Sequence, residues 1–377
     1  MHILKVPSEY PTKDHKLGGI FVKEQTAELK KKIEVGIIHI YQFSIYNIFK
    51  VKLLDLMIYS KRKKFYRFSI PRIPKLKIIN FYTHYLFFKI FFISYVKNHG
   101  KPDIIHAHFS EFTSYTLYKI KKKYGIPYVI TEHSTDFIDK RFEKSYNSYS
   151  YKIVKKGFAN AERVICVSNF LKLAIVKIFK IKNTIVIPNF TKKINYISKK
   201  KYDFIFVGDL IERKNPFLLL HTYKKYFDDK KLLIIGNGEL KKDIIKFKKK
   251  NNLKNLYILS NLERRLVLKK ISESKTLILT SSFETFGVVL IEAISLGLNV
   301  ISTDSGGPKD IVNKTTGTLI KPKINELMKA INKIQSNSFN RNKIINFYNL
   351  NFSSAIILKK IIKIYEQIKK DAYTKFL

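Results

Sequence analysis

Two glutamates lie in the stretch whose residues are the best candidates for ligand binding or catalysis. This stretch, Ser281 to Val312, reads SSFETFGVVLIEAISLGLNVISTDSGGPKDIV. Its apolar residues recur at helical spacing from Phe286 to Leu296, and Gly297 stands where a C-terminal cap is expected. We therefore predict a helix that begins just after Glu284. Because the first turn of a helix presents unpaired N–H groups and a partial positive charge, we expect it to bind a phosphate, a diphosphate or a sugar hydroxyl.

The spacing of the two glutamates favours binding over hydrolysis. Glu284 and Glu292 are eight residues apart, which corresponds to roughly 12 Å along a helix that rises about 1.5 Å per residue. The carboxylates of a glycosidase lie only about 5 to 10 Å apart across one bond. The pair therefore suits an elongated ligand that is held at both ends. The alternative is that Glu284 only caps the helix and that Glu292 is a solvated helix residue.

The order of these features carries a family resemblance. The pattern E-x7-E, followed by a strand and a GG-P-x-x-I-V turn, resembles the donor-site signature of retaining glycosyltransferases of family 4, which have the GT-B fold. The alternation of predicted strands and helices agrees with an α/β chain of two Rossmann-like parallel-sheet domains facing each other across a cleft. The resemblance places Glu292 on the ribose hydroxyls of a nucleotide sugar. It places Glu284 at the transferred sugar and diphosphate, together with the backbone N–H groups of Thr285, Phe286 and Gly287.

A glycine turn with a basic pair precedes this stretch. Residues 202–215 predict a strand, a tight turn at Gly208 and a following helix. Lys214 would meet a diphosphate electrostatically, and Arg213 would add bidentate contacts unless it is only surface charge. The family usually has an arginine where this chain has Asp209. One expected phosphate contact is therefore lost, which leaves the tightness of donor binding and the identity of the donor open, and Arg213 would compensate.

Two further glycine turns are candidates for the close approach of a ligand. Gly18 and Gly19 follow the first predicted strand and precede a helix that we place from about Ile20. The order of these elements resembles the first glycine loop of the family, which lies beside the acceptor and the donor phosphates, and the typical G-x-F-x-x-E-Q run follows it from Gly19 to Gln25. An ordinary strand-to-helix turn is the alternative. The turn that contains Gly238 resembles the I-G-x-G-x-L element of the family.

Histidines follow two predicted strands of the first half of the chain. Lys101 to Phe112 predicts a strand that ends in His106 and His108, and Ile126 to Phe137 predicts a strand that ends at His133. Ligands of open α/β sheets bind at the carboxyl ends of strands. The resemblance matches His133 to the histidine that contacts the donor sugar at the reacting centre, and the other two would line or support the cleft. A zinc site would need further ligands, which no nearby cluster supplies.

Composition limits the class of partner. The 377 residues contain 72 Lys and Arg against 29 Asp and Glu, a formal charge of +43, which favours anionic partners such as lipid surfaces, nucleotides or nucleic acid. An AT-rich genome would produce the same bias without selection for a basic surface. The single Cys166 excludes an internal disulfide and fits a reducing compartment.

Residues 51–100 concentrate this positive charge, with eleven Lys or Arg against Asp55 alone. Within them, 61–77 interleaves charges with aromatic side chains, so it could lie on an anionic membrane, bind nucleic acid or form a solvated loop between two helices. The lipid-linked acceptors of the resembled family favour the membrane. The apolar segment 81–96 is short for a membrane span and predicts a buried or interfacial helix. No secretory signal is apparent, and we expect a cytoplasmic protein, peripheral on the inner face of the cytoplasmic membrane.

These observations predict four parts and one function. We expect an N-terminal domain over 1–190, a linker over 191–201, a nucleotide-sugar domain over 202–350 and a C-terminal helix over 351–377 that packs across the domain junction. The expected function is metal-independent hexosyl transfer from a nucleotide-diphosphate sugar, with UDP slightly favoured, to a glycan or lipid-linked acceptor of cell-surface polysaccharide. No cofactor and no nucleic acid are expected. A nucleotide-sugar epimerase and a non-catalytic basic protein that binds anionic membrane or nucleic acid are the alternatives.

Overall fold

The computed structural model describes residues 1–12, 18–45, 57–138, 148–192, 196, 198–336 and 339–374. Contacts divide the chain into two compact units: unit 1 comprises Met1–Pro188 and Leu358–Leu377, and unit 2 comprises Asn189–Ile357. Four predicted segments extend outside the described residues, namely the first glycine loop at 13–17, the basic segment at 51–56, the linker at 193–195 and 197, and the C-terminal helix at 375–377.

Unit 1 is built around one sheet of eight described strands. In chain order they are β1 (His2–Pro7), β2 (Glu34–Ser44), β3 (Met57–Ser60), β4 (Phe65–Arg72), β5 (Ile104–His108), β6 (Tyr128–Glu132), β7 (Arg163–Cys166) and β8 (Thr184–Val186). Their order across the sheet is β3-β4-β2-β1-β5-β6-β7-β8. Neighbouring strands run parallel except β3 and β4, which form an antiparallel pair at one edge.

Helices cover this sheet, so its central strands are buried along their whole length. Every residue of β1 and of β5 is buried, as expected for parallel strands between two helical layers. The described helices of this part are α1 (Ile20–Leu29), α2 (Lys77–His99), α3 (Thr113–Tyr124), α4 (Ser148–Ala159) and α5 (Asn169–Phe179). The predicted start of α1 at Ile20 is confirmed; it follows Gly19, whose φ of 60° is left-handed.

The basic segment 61–77 forms part of a hairpin. A turn at 61–64 joins β3 to β4, and β4 pairs with β2 inside the sheet. Tyr66 and Ile70 of β4 are buried. The solvated-loop alternative is therefore wrong, because strand pairing and side-chain burial hold the segment in unit 1. The membrane and nucleic-acid alternatives concern its exposed charges and stay predictions.

The apolar segment 81–96 lies within α2, and this helix has two unlike faces. Phe81, Phe88 and Phe92 are buried, whereas Leu86 and Ile90 are each 53% exposed. The prediction of a helix is confirmed. Across the described part of the chain, no helix is both long enough and apolar enough to span a membrane.

Unit 2 contains a second sheet, with six described strands that all run parallel. They are β9 (Tyr202–Val207), β10 (Leu232–Ile235), β11 (Leu256–Leu259), β12 (Ser274–Leu279), β13 (Asn299–Thr303) and β14 (Gly317–Ile320), in the order β11-β10-β9-β12-β13-β14. Its described helices are α6 (Pro216–Tyr226), α7 (Lys241–Lys250), α8 (Arg264–Ser272), α9 (Val288–Ser295), α10 (Ile324–Ser336) and α11 (Arg341–Asn351). A last helix, α12 (Ser354–Thr374), begins in unit 2 and continues into unit 1.

The strand order reverses once in each sheet, next to the first strand of the unit. The reversal lies between β1 and β5 in unit 1, and between β9 and β12 in unit 2. Ligands of open α/β sheets bind outside the carboxyl ends of the strands at such a point. The predicted class, α/β with two parallel-sheet domains, is confirmed, and the antiparallel β3–β4 pair is the one departure among the described strands.

We predict that Phe88→Ala lowers the free energy of unfolding of unit 1 by about 3 to 5 kcal/mol, because it removes a fully buried ring and leaves a cavity. Leu86→Ala on the same helix is the matched control. Its side chain is half exposed, and we expect a change within about 0.5 kcal/mol. Urea unfolding measures both variants, and equal losses would contradict the described packing of α2.

Candidate functional site

The segment before α9 is not helical: it consists of an isolated β-bridge at Glu284 and bends at Thr285 and Phe286. The prediction that this helix begins just after Glu284 is wrong, because α9 starts at Val288 and Gly287 precedes it with a left-handed φ of 96°. Glu284 instead forms a parallel bridge with Gly306. Its N–H donates to the carbonyl of Ser305 at 2.9 Å, and its own carbonyl accepts from the N–H of Gly307 at 2.9 Å. The backbone of this segment is thus held by the glycine turn that follows β13.

Gly307 makes this contact possible because it lacks a side chain. A Cβ at this position would lie 2.4 Å from the carbonyl carbon and oxygen of Thr285 and 2.5 Å from the Cα of Phe286. Such distances are far inside van der Waals contact, so any other residue would push the two segments apart. The turn therefore determines where Glu284, Thr285 and Phe286 lie.

The carboxylate of Glu284 is buried and ion-paired. It is 6% exposed, the ammonium of Lys214 donates to its Oε1, and the hydroxyl of Ser281 donates to the same oxygen at 2.8 Å. Glu284 is therefore not a helix cap, and that alternative is wrong. Lys214 ends the short 3-10 helix Glu212–Lys214, so two residues that were both predicted to lie at the diphosphate are in direct contact here.

The loop that carries the basic pair is tied to the end of β12. The hydroxyl of Thr280 donates to the carbonyl oxygens of Lys214 at 3.1 Å and of Asn215 at 2.8 Å. Arg213 donates from Nη1 to the carbonyl of Phe283 at 3.2 Å at the protein surface, beside Glu284, and its predicted contact with a phosphate stays a prediction. The basic pair and Glu284 therefore occupy one place, outside the carboxyl ends of β9 and β12.

The two predicted glycines of this unit have different surroundings. Gly208 follows β9, and the nearest atom to an added Cβ would be the Cε of Lys214, 3.8 Å away. Open space of this kind permits a ligand to approach the backbone. Gly238 has a φ of 151°, and an added Cβ would lie 2.4 Å from the carbonyl oxygen of Leu210. Its missing side chain therefore serves the packing of the turn, and its predicted contact with a ligand stays a prediction. Asp209, the departure from the family pattern, is exposed.

Glu292 is the second glutamate, and it is buried too. It lies on α9 with 4% exposure, so the alternative of a solvated helix residue is wrong. The guanidinium of Arg264, the first residue of α8, has its Nη2 2.6 Å from Oε1 of Glu292. A buried carboxylate requires such a partner. The sequence does not identify Arg264, because it is one of many basic residues and nothing in the chain order marks it as the partner.

His133 is the candidate of unit 1, and burial keeps it neutral. It follows β6, is 7% exposed, and burial lowers its pKa to about 3. The rings of Phe21 and Phe109 lie against it, with centroids 4.6 and 4.9 Å away. Its Nε2 lies 3.2 Å from Nδ1 of His108. Its Nδ1 is buried and has no hydrogen-bond partner among the described residues.

A polar cluster that the sequence did not predict lies behind His133. Its centre is Lys5 of β1, which is fully buried and lies within hydrogen-bond distance of Gln25, His106 and His108. His106 and His108 are themselves 0% exposed, so they support His133 from inside unit 1. A lysine within the run HILKVP is the signal that could have revealed the cluster, because a charge inside a buried strand needs partners.

The predicted first glycine loop has one tight contact. An added Cβ at Gly19 would lie 2.2 Å from the carbonyl oxygen of Glu9, so the turn before α1 packs directly on the chain that follows β1. Gly18 stands one position earlier in the same turn. The predicted contacts of these two glycines with a ligand stay predictions.

A cavity of about 260 Å³ with both polar and apolar walls lies within unit 1, where Ser134, the residue after His133, lines it. It is lined by residues that follow β1, β5 and β6 and by the ends of β2 and β4. Arg72 donates from Nη2 to Glu111 at 3.2 Å on its wall, and Oε1 of Gln42 is buried with no described partner. An unpaired buried acceptor favours a ligand or water that donates a hydrogen bond.

Metal binding has no evident location in the described residues. Within the described ranges, no three or more His, Cys, Asp or Glu side chains are grouped so that they could hold a metal ion. The predicted independence of metal concerns activity, and it stays a prediction.

The two units and their strand-order reversals define a protein of the GT-B class. The solved structure of Anabaena HepE in complex with UDP is similar to the chain with a TM-score of 0.71 at 14% identity, over 97% of this chain and 100% of that chain. Family models then match both parts: Glycosyltransferase Family 4 matches residues 53–192, and Glycosyl transferases group 1 matches residues 189–348. The chain belongs to the group 1 glycosyltransferases of family 4, as the motif predicted.

Two relatives agree with this family. The uncharacterized glycosyltransferase MJ1178 of Methanocaldococcus jannaschii is 29% identical over 212 residues, which cover 56% of this chain and 58% of that protein. The putative teichuronic acid biosynthesis glycosyltransferase TuaC of Bacillus subtilis is 25% identical over 236 residues, which cover 59% of this chain and 58% of that protein. The chain thus matches somewhat more than half the length of each of these relatives.

We predict that Gly208→Ala leaves the free energy of unfolding within about 0.5 kcal/mol, because the added methyl group meets no protein atom closer than 3.8 Å. If the open space beside Gly208 receives the phosphates of a nucleotide, binding of UDP should nevertheless weaken at least tenfold, since the methyl group would occupy that space. Gly307→Ala is the contrasting variant and should lose stability and binding together. Urea unfolding and UDP titration measure both effects, and unchanged UDP binding in Gly208→Ala would place the phosphates elsewhere.

Proposed function

We propose that the protein is a retaining glycosyltransferase that moves a hexose from a nucleotide-diphosphate sugar to a glycan or lipid-linked acceptor. The observation that carries this proposal is the buried ion pair of Glu284 with Lys214 of the basic loop at the strand-order reversal of unit 2, followed in the same motif by the buried Arg264–Glu292 pair. Glu284 would bind hydroxyls of the transferred sugar, and Glu292 would bind the ribose. Both roles follow from the family motif, and the burial of both carboxylates supports them.

The Lys214–Glu284 ion pair indicates how an anionic ligand would be received. In the unliganded chain each charge neutralises the other, so neither is buried alone. An arriving diphosphate would accept the hydrogen bonds that the ammonium of Lys214 donates. Glu284 would then accept hydrogen bonds from the sugar hydroxyls. The guanidinium of Arg213 would place a second positive charge beside the phosphates. The N–H groups of Thr285, Phe286 and Gly287 directly precede α9, whose N-terminus favours an anion.

The reaction would need no protein base. The bond between the anomeric carbon and the diphosphate oxygen breaks as the acceptor oxygen attacks from the same face, which retains the configuration. The acceptor proton passes to the leaving phosphate oxygen. Lys214, Arg213 and the N-terminus of α9 would stabilise the charge that develops on the diphosphate, and a metal ion would not be required. His133 would orient the sugar.

The cavity of unit 1 is the candidate place for the acceptor. Its walls combine the Arg72–Glu111 pair with the unpaired Oε1 of Gln42, a lining that suits hydroxyl groups of a glycan. The name of TuaC, a putative teichuronic acid biosynthesis glycosyltransferase, supports a role in cell-surface polysaccharide. UDP is the proposed nucleotide of the donor, and the UDP bound in the HepE structure supports this choice.

A thermal-shift screen against UDP, GDP, ADP and their sugars tests the donor class. We expect a selective rise of the unfolding temperature with UDP or a UDP-sugar, because a ligand that binds only the folded chain adds about 2.7 kcal/mol of stability at 100 times its Kd. The shift should persist in EDTA. Glu292→Ala and Lys214→Ala should abolish it.

Lys309→Ala is the matched control for charge, because its ion pair with Asp304 lies on the surface of the same unit, with the Lys309 side chain 60% exposed. It should keep the full shift. A shift that EDTA removes would contradict metal independence of donor binding. No shift with any nucleotide at millimolar concentration would contradict the proposed donor site.

Membrane attachment is a second part of the proposal, and α2 carries it. An apolar row on this helix is exposed at intervals of three and four residues: Ile79 at 44%, Tyr82 at 46%, Leu86 at 53%, Ile90 at 53% and Ile93 at 50%. The basic turn 61–64 is near the end of the same helix, because Tyr66 lies 3.0 Å from His99. Apolar side chains beside Lys and Arg suit an anionic membrane, so we place the enzyme on the inner face of the cytoplasmic membrane.

We predict that Leu86→Ser combined with Ile90→Ser weakens binding to vesicles of phosphatidylglycerol at least about tenfold, because each change removes an apolar side chain worth about 1 kcal/mol or more when it is buried in lipid. Leu350→Ser is the control, since this residue is 62% exposed but belongs to unit 2. Vesicle cosedimentation at physiological salt measures the binding. Equal binding of the double variant and the control would reject α2 as the membrane face.

A further inference from the structure

Lys5 holds an amine at the centre of unit 1, and the proposed reaction does not use it. The side chain is 0% exposed, and its described hydrogen-bond partners include no carboxylate. Burial lowers the pKa of this amine well below its ordinary value. A neutral amine differs from an ammonium in one essential way, because it has a lone pair and can accept a hydrogen bond as well as donate two.

The amine has three neighbours in hydrogen-bond distance. Nζ donates to Oε1 of Gln25 at 2.7 Å, and it lies 2.9 Å from Nδ1 of His106 and 2.7 Å from Nε2 of His108. His108 continues the chain of contacts, since its Nδ1 lies 3.2 Å from Nε2 of His133. Lys5 is therefore connected to His133 through one imidazole ring.

The hydrogen-bond partners of His106 determine which of its ring nitrogens carries the proton, and therefore which partner donates in each hydrogen bond around it. The hydroxyl of Tyr365 lies 2.5 Å from its Nδ1, and the hydroxyl of Thr131 lies 2.6 Å from its Nε2. His106 is the only partner described for the Tyr365 hydroxyl, so this phenol donates to Nδ1, and Nε2–H donates to Thr131. Nδ1 of His106 is then an acceptor, and it has no proton to give to Lys5.

The lone pair of a neutral Lys5 must therefore accept from Nε2–H of His108. A neutral imidazole has a single N–H, so Nδ1 of His108 is then an acceptor and takes the proton of Nε2–H of His133. His133 is left with a bare Nδ1. This is the atom that is buried without a described partner, and it is free to accept a hydrogen bond.

We propose that Lys5 is a positioning residue that fixes the tautomer of His133 through His108, so that Nδ1 of His133 accepts a hydrogen bond from a hydroxyl of the transferred sugar. The last clause rests on the proposed function, whereas the tautomer does not. A proton added to Lys5 reverses the chain: the ammonium donates to His108, which donates to His133, and Nδ1 of His133 becomes a donor.

The other titratable groups near this chain do not compete with it. The carboxylate of Glu132 accepts from the backbone N–H groups of Ser110, His133 and Ser134, and burial raises its pKa. Burial also lowers the pKa values of His106 and His108 well below the ordinary value, so both rings are neutral, and it raises the pKa of Tyr365, which keeps its proton.

Nitrogen NMR of the full-length chain labelled with ¹⁵N-histidine tests the tautomer. The signals of His133 are identified by their loss in His133→Asn. We expect the proton of His133 on Nε2 in the unsubstituted chain. In Lys5→Met, which has no lone pair or N–H, we expect both tautomers, and in Lys5→Arg, which can only donate, we expect the proton on Nδ1.

His84 serves as the internal control. It is equally buried in unit 1, its pKa is also lowered to about 3, and its Nδ1 lies 2.8 Å from the hydroxyl of Thr116, away from Lys5. Its signals should not change in the Lys5 variants. A proton on Nδ1 of His133 in the unsubstituted chain overturns the inference by itself, even if no variant folds. An unchanged His133 tautomer in folded Lys5→Met and Lys5→Arg overturns it as well.

Transfer kinetics separate this inference from the proposed function. Lys5→Met should lower kcat/KM about tenfold and leave the Kd of free UDP unchanged, because the nucleotide site belongs to unit 2. If the tautomer of His133 changes in the Lys5 variants as expected but no nucleotide sugar is turned over, the proposed function fails and the inferred proton arrangement stands. If transfer occurs while the tautomer ignores Lys5, the inference fails and the proposed function stands.

Discussion

The contact between the glycine turn after β13 and the backbone of Thr285 and Phe286 is the constraint on which the site of unit 2 depends. Two hydrogen bonds of 2.9 Å and the absence of a side chain at Gly307 bring the segments together. They keep residues 284–286 out of the helix, so the carboxylate of Glu284 reaches Lys214 and α9 begins only at Val288. In a chain with a formal charge of +43, this geometry buries a carboxylate where a cation can compensate it.

The two units treat buried polarity in different ways. Unit 2 pairs opposite charges, as in Arg264 with Glu292, which suits an anionic ligand that can exchange with one member of a pair. Unit 1 instead buries Lys5 and three histidines without an opposite charge and keeps them neutral, which suits the hydroxyl groups of a sugar. Keeping the amine of Lys5 neutral lowers the stability of the folded chain at pH values below its ordinary pKa. Between its lowered folded pKa and its ordinary value the unfolded chain binds the extra proton, so in that window stability rises with pH.

Sequence patterns predicted the elements that depend on residues close together in the chain. They did not predict features that depend on contacts between residues far apart in the chain. The strands that end at His108 or directly before His133 and Gly208, the start of α1 at Ile20 and the family motif all follow from periodicity and turn residues that are neighbours in the chain. The start of α9 was missed because Phe286 fits the apolar spacing of a helix, whereas the bridge between Glu284 and Gly306 and the bends that follow it delay the helix until Val288. Arg264 and Lys5 were missed because many basic residues compete for each partner, and only the fold selects one.

The path of the chain through α12 has a consequence for how the protein is made. Unit 2 is inserted into unit 1, since the chain leaves unit 1 after Pro188 and returns to it at Leu358. Tyr365, which donates to His106, therefore leaves the ribosome only after all of unit 2 has been synthesised. The contact between Tyr365 and His106 therefore completes unit 1 only after the chain has passed through the whole of unit 2.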